Sequence, residues 1–144
     1  MADPHGFLKV QRQNNPYRLA DIRVMDYDEI EGQLPEKERY LQASRCMDCG
    51  VPFCHWGCPV GNNIPEWQDK LYHGDWETAY KMLQETNNFP EITGRICPAP
   101  CEGSCVLAID DDAVSIRANE LAIIEHAFDV GFIKPKPPTT RSGK

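Results

Sequence analysis

Residues 46–59 read CMDCGVPFCHWGCP, placing Cys46, Cys49, Cys54 and Cys58 in one run that closes on Pro59. The loop from Cys49 to Asn63 carries two Pro and three Gly and has no helical period. Such a chain can wrap closely around a ligand, because glycine lets the backbone approach and proline fixes turns. Farther on, residues 97–105 read CPAPCEGSC and bring Cys97, Cys101 and Cys105. The two groups use all seven cysteines, so no stray core thiol is left. The N-terminal MADPHGFLKVQRQ lacks the apolar segment of a secretory signal, and a cytoplasmic protein is expected. Disulfides are disfavoured there, so clustered thiols read as metal or redox ligands.

Thiolate-only sites suit zinc or iron–sulfur clusters. Structural zinc usually takes two close cysteine pairs far apart in sequence. Here one run holds four cysteines and ends in Cys-Pro. It is similar to the bacterial ferredoxin pattern C-x2-C-x2-C-x3-C-P, with two residues added before the third cysteine. In that pattern three neighbouring thiolates hold one cubane, the fourth reaches a second cluster, and a distant cysteine completes the first. The spacing therefore predicts two interleaved sites, one starting from Cys46, Cys49 and Cys54 and the other from Cys58. Two four-ligand clusters need eight protein ligands, and seven cysteines leave one position to fill.

The last helix offers a candidate. Wound at about 100° per residue, it sets Glu120 in the middle of an apolar face with Ile116, Ile123, Ala127 and Ile124. A carboxylate there needs a partner, because burying it alone is costly. Iron is one such partner. A neighbouring Arg117 is another, by ion pairing. His55 and His126 are rival ligands, but His55 adjoins Cys54 and His126 falls off the apolar face.

The chain has 144 residues, 41% hydrophobic and 26% charged, with net charge −7 and pI near 5.0. That acidity argues against nucleic acid, whose binders show a basic face. No apolar run approaches the ~20 residues of a membrane span. Residues 1–34 hold scattered apolar positions and nearly balanced charge, four basic and six acidic, and read as an extended N-terminal arm lying on another surface. Helices are expected from Pro35 through EKERYLQASR, over Ile64–His73, over Asp75–Thr86 and from Ser115 to Gly131. Residues 87–105 read as loop with at most a helical turn. Trp56, Trp67 and Trp76 are candidates to wall a cluster or to pack the core. Residues 134–144, KPKPPTTRSGK, read as a Pro-rich linker. The expected architecture is all-α with long cluster-binding loops: arm 1–34, a double-cluster domain 35–133, and a linker 134–144 leading to a further domain.

Three stretches, CMDCGVPFCHWGCPVGNNIPEW, TNNFPEITGRICPAPCEGSCVLAI and VSIRANELAIIEHAF, together with Phe7 and Leu8, closely resemble the small (beta) subunits of bacterial glutamate synthase. A similar domain opens dihydropyrimidine dehydrogenase and related NAD(P)H–ferredoxin oxidoreductases. The resemblance implies an α-helical ferredoxin-like domain with two [4Fe-4S] clusters. It assigns Cys46, Cys49, Cys54 and Cys105 to one cluster and Cys58, Cys97 and Cys101 to the other. Glu120 stands where relatives place a non-cysteine ligand. The family's domain relays single electrons from an NAD(P)H-reduced FAD to the FMN of a large-subunit partner. That FMN serves glutamate synthesis from 2-oxoglutarate and glutamine-derived ammonia. The FAD and NAD(P)H sites belong to a C-terminal flavoprotein domain, and no G-x-G-x-x-G occurs in these 144 residues, so no catalytic residue is expected here. The alternative from the residues alone is a structural zinc-binding interaction module.

Overall fold

Proline and glycine set the rhythm of the chain. A computed structural model describes residues 3–143 and shows a helical protein. Two short helical turns come first, α1 (Gly6–Lys9) and α2 (Ala20–Arg23). They are followed by α3 (Glu36–Ala43), α4 (Phe53–Gly57), α5 (Ile64–Tyr72) and α6 (Trp76–Gln84). Next are α7 (Pro90–Ile96), α8 (Pro100–Gly103), a 3-10 turn at Val106–Ile109 and α9 (Ile116–Asp129). Among the described residues the only β pairing is an isolated antiparallel bridge, Tyr17 to Glu31. Among the described residues no helix is long and apolar enough to cross a membrane.

The local chemistry explains the boundaries. Pro65 and Pro90 lie in the first turns of α5 and α7, and Pro100 opens α8, where the missing N–H costs nothing. Gly74, at φ +74°, turns the chain between α5 and α6. Asp75 then caps α6 by accepting from the Thr78 N–H at 3.2 Å. Two expected loops contain helices instead. The run 49–63 holds α4, and 87–105 holds α7 and α8, each too short for a hydrophobic period to show in sequence. The last helix also differs from a one-faced amphipathic helix. Besides its apolar residues it buries Asn119, which donates to Gln68 Oε1 at 2.8 Å and accepts from Arg39 at 3.0 Å. Phe128, one residue beyond the buried Ala127, is half exposed.

α9 is the hub, packing against α3, α5, α6, α7 and α8. Trp67, Leu71, Leu83, Leu121 and Ile123 are fully buried around it. Burying each such side chain contributes about 1.5–3 kcal/mol. α7 lies unusually close: a Cβ at Gly94 would sit 2.8 Å from Leu121 Cβ. The arm is held on the helices around residues 10–13. Arg45 donates to Val10 O, and Gln42 Nε2 donates to Gln11 O while its Oε1 accepts the Gln13 N–H. Residues 134–143 are exposed throughout.

Candidate metal centre

The two cysteine groups mix. Cys46, Cys49, Cys54 and Cys105 line one cavity, walled by Phe53, Ile64, Leu107 and Ile116. Cys58, Cys97, Cys101 and Glu120 line a second, with Asn87, Thr93 and Arg117. Each cavity therefore draws on both groups. The short helix α4 is the reason: it carries Cys54 in its first turn and releases Cys58 just past its end, so one rigid turn serves both cavities. α8 does the same with Cys101 inside it and Cys105 beyond it. The two helices meet where a Cβ on Gly57 would lie 2.6 Å from Ser104 Cβ and 3.1 Å from Pro100 O.

Both groups share a backbone device that the sequence does not announce. Among the described residues, Asp48 (φ 52°) and Ala99 (φ 56°) are the two non-glycine residues in the left-handed region. Each follows a cysteine by two positions and turns its N–H back to that sulfur, Ala99 to Cys97 Sγ at 3.4 Å and Asp48 to Cys46. A left-handed non-glycine residue costs about 1–2 kcal/mol. Such strain gathers at functional sites. An N–H aimed at sulfur favours the thiolate over the thiol.

Burial works the other way. It pushes the Cys46 and Cys101 thiols up to about 12 and Cys54 to about 11, and raises Cys49. The nearby charges that add to these shifts follow the cavities: Cys54, Cys105 and Cys49 act on Cys46, while Glu102, Cys58, Cys97 and Glu120 act on Cys101. Thiols so situated stay protonated until a cation replaces the proton.

Glu120 is buried and accepts three hydrogen bonds, from Asn62 Nδ2 at 3.3 Å, Asn87 Nδ2 at 3.2 Å and Thr93 Oγ1 at 2.5 Å. Burial raises its pKa, against the pull of the Thr93 and Asn62 hydrogen bonds and of the Arg117 charge. Arg117 does not pair with it. Its guanidinium donates to Gly94 O at 2.5 Å and to both oxygens of Glu31 at 3.1 Å. The histidine rivals are engaged elsewhere. His55 Nε2 accepts the Ile64 N–H at 3.0 Å, and His126 stacks on Trp76 with ring centroids 4.2 Å apart. Neither lines a cysteine cavity. Of the tryptophans, Trp67 is core, Trp76 carries that stack and Trp56 is 81% exposed.

Sequence reasoning missed Asn62, Asn87 and Thr93, which surround the carboxylate. Asn62 and Asn87 sit in the turns that lead into α5 and α7, where Asn is ordinary, Thr93 lies within α7, and no periodicity marks them. Among the described residues no three His, Cys, Asp or Glu side chains are gathered so that they could hold a single metal ion. The donors ring two cavities instead, which fits an extended inorganic core held by thiolates, with a hard carboxylate at one corner.

An all-α scaffold with thiols arranged in this way defines an iron–sulfur domain. The chain belongs to the 4Fe-4S cluster family described as dihydropyrimidine dehydrogenase domain II, whose model matches residues 23–131. Over its whole length it is 50% identical to the glutamate synthase [NADPH] small chain of Mycobacterium tuberculosis, covering 30% of that protein. It is 46% identical to the corresponding small chain of Bacillus subtilis, covering 31% of it. It is 47% identical, over 96% of its own length, to the glutamate synthase [NADH] of Saccharomyces cerevisiae, covering 6% of that protein. The chain thus spans about a third of the length of the bacterial small chains.

Proposed function

We propose that the chain is the electron-transfer domain of a glutamate synthase small subunit and that it holds two [4Fe-4S] clusters. Cys46, Cys49, Cys54 and Cys105 would hold one, and Cys58, Cys97, Cys101 and Glu120 the other. The observation that carries this is the mixing of the cysteine groups, each cavity drawing ligands from both. When bound, such a cluster supplies one-electron chemistry at a potential set by ligand charge, hydrogen bonds to sulfur and solvent exposure. The protein's part is to fix those quantities. α4 and α8 space the thiols. The Asp48 and Ala99 N–H groups favour thiolate. Asn62, Asn87 and Thr93 orient the carboxylate, and the apolar walls keep out water.

The wider role follows from the likeness to glutamate synthases. The domain, about residues 35–133, would relay electrons between an NAD(P)H-reduced FAD and the FMN of a large-subunit partner. The FAD and NAD(P)H sites would lie in the remaining length of such a small subunit, reached through the linker 134–144. No catalytic residue is assigned within this chain, and neither nucleic acid nor membrane enters the role, which is cytoplasmic. The test is anaerobic purification with metal, sulfide and visible-absorption analysis. A brown protein with about eight irons and eight sulfides per chain is expected, and its absorption bleaches on reduction. A colourless protein carrying zinc overturns the proposal.

A further inference from the structure

The N-terminal arm makes ion pairs with the helices around one cavity. Arg12 Nη2 lies 2.7 Å from Glu102 Oε2, and Glu102 adjoins Cys101. Glu31 holds Arg117, which lines the second cavity beside Glu120. Glu29 holds Arg95 at 2.7 Å, on the helix that leads into Cys97. Glu102 also accepts the Arg117 N–H at 3.0 Å, so the two inner pairs are joined. Both are mostly shielded from water: Arg12 and Glu102 side chains are 22% and 16% exposed, Arg117 and Glu31 23% and 18%. By contrast, the arm meets α3 and the segment leading to Cys46 through backbone groups and amides, as at Val10 O, Gln11 O and the Gln13 N–H.

We propose that the arm is a charge clamp on the second cluster, in which Arg12 neutralises Glu102 and Glu31 neutralises Arg117, so that the two pairs balance each other and loss of either one alone shifts that cluster's reduction potential and not the first one's. This rests on the proposal that Cys58, Cys97, Cys101 and Glu120 hold a cluster. The physics is the sign of the added electron. Reduction makes the cluster more negative, so an uncompensated Arg117 favours the reduced form and an uncompensated Glu102 disfavours it. Low-dielectric surroundings make either imbalance count. Arg12 and Glu31 are positioning residues, acting through Glu102 and Arg117 and touching no iron.

The opposite charges give an experiment that mere loosening of the arm cannot imitate. The full chain with its clusters assembled is taken through a redox titration followed by electron paramagnetic resonance. The second cluster's signal is identified as the one lost in Cys101→Ala. Glu31→Gln should raise that cluster's midpoint and Arg12→Gln should lower it, each by about a tenfold change in reduction equilibrium, or roughly 59 mV for one electron. The double variant should return close to the starting value, Arg12→Lys should leave it unmoved, and the first cluster should not respond. Shifts of the same sign in both single variants, or none in either, overturn the clamp. An iron count of one cluster in the unsubstituted chain instead overturns the two-cluster proposal on which it rests, and is read before any titration.

Discussion

The Asn62 side-chain N–H reaches Glu120 Oε2 at 3.3 Å while Asn62 Oδ1 accepts from Trp67 Nε1 at 3.2 Å and from Thr86 Oγ1 at 3.0 Å. One amide, fixed by two donors from the core, therefore presents its own donor to the buried carboxylate. Asn62→Leu would leave the Trp67 N–H, the Thr86 hydroxyl and the carboxylate each short of a partner. Leaving a buried polar group unsatisfied costs about 1–3 kcal/mol. A lowered denaturation midpoint is expected, with iron lost from one cluster before the other. Unchanged iron retention on gel filtration would show that the carboxylate needs no such support.

The contact of α4 with α8 makes a second prediction. Any side chain at Gly57 runs into Ser104 and the Pro100 carbonyl, and these two helices bring cysteines to both cavities. Overpacking of this kind costs about 1–3 kcal/mol. Gly57→Ala should therefore reduce iron incorporation at both sites, whereas Gly103→Ala, with open space around its Cβ, should not. Metal analysis of the two variants side by side decides it.

How much of this was legible in the sequence depends on the scale of the signal. Seven clustered cysteines declared a thiolate site, and Glu120 stood out because a carboxylate on an apolar face has to be explained. The longer helices α5, α6 and α9 carry enough turns for period and caps to show. The helices α4, α7 and α8 have one or two turns each, too few for a period, yet they set the spacing of the cysteines around the cavities. Asp48 and Ala99 carry no glycine to signal their left-handed backbone. Arg117 beside Glu120 in sequence suggested an ion pair. Only the folded arm, bringing Glu31 from far away, redirects it.

The loop between Tyr17 and Glu31 supplies a pH-dependent prediction. Arg18 grips Asp26 with two hydrogen bonds, Nη1 to Oδ1 at 2.8 Å and Nη2 to Oδ2 at 2.5 Å. That grip, helped by the Asp28 N–H, lowers the Asp26 pKa from 3.8 to about 2. A carboxylate depressed in the folded state adds stability above its unfolded value, and that stability is lost as pH falls through the folded value. Amide protection over residues 17–31, taken relative to the intrinsic exchange rate at each pH, should fall as pH drops from about 4 to 2, and the Asp26 carboxyl should titrate near 2 by nuclear magnetic resonance. In Asp26→Asn that protection should already be low at neutral pH and should not fall further on acidification. A normal titration for Asp26 would mean that the Arg18 grip does not persist in solution.

Glu120 provides the most direct test of the second site. Three thiols, Cys58, Cys97 and Cys101, share its cavity, and a four-iron cluster held by them alone has one iron without a protein ligand. Arg117 is occupied by Glu31 and the Gly94 carbonyl, so the carboxylate's buried position is not explained by an ion pair. His55 and His126 are engaged away from the cavity. Glu120→Ala should leave one four-iron cluster intact and make the other labile, with a three-iron species appearing on oxidation. Glu120→Gln keeps an oxygen donor in the same shape and should retain more iron than the alanine variant. Iron content and electron paramagnetic resonance of both variants, oxidised and reduced, read the outcome. If Glu120→Ala keeps two four-iron clusters with unaltered signals, the carboxylate is not a ligand, and its three hydrogen bonds serve the core alone.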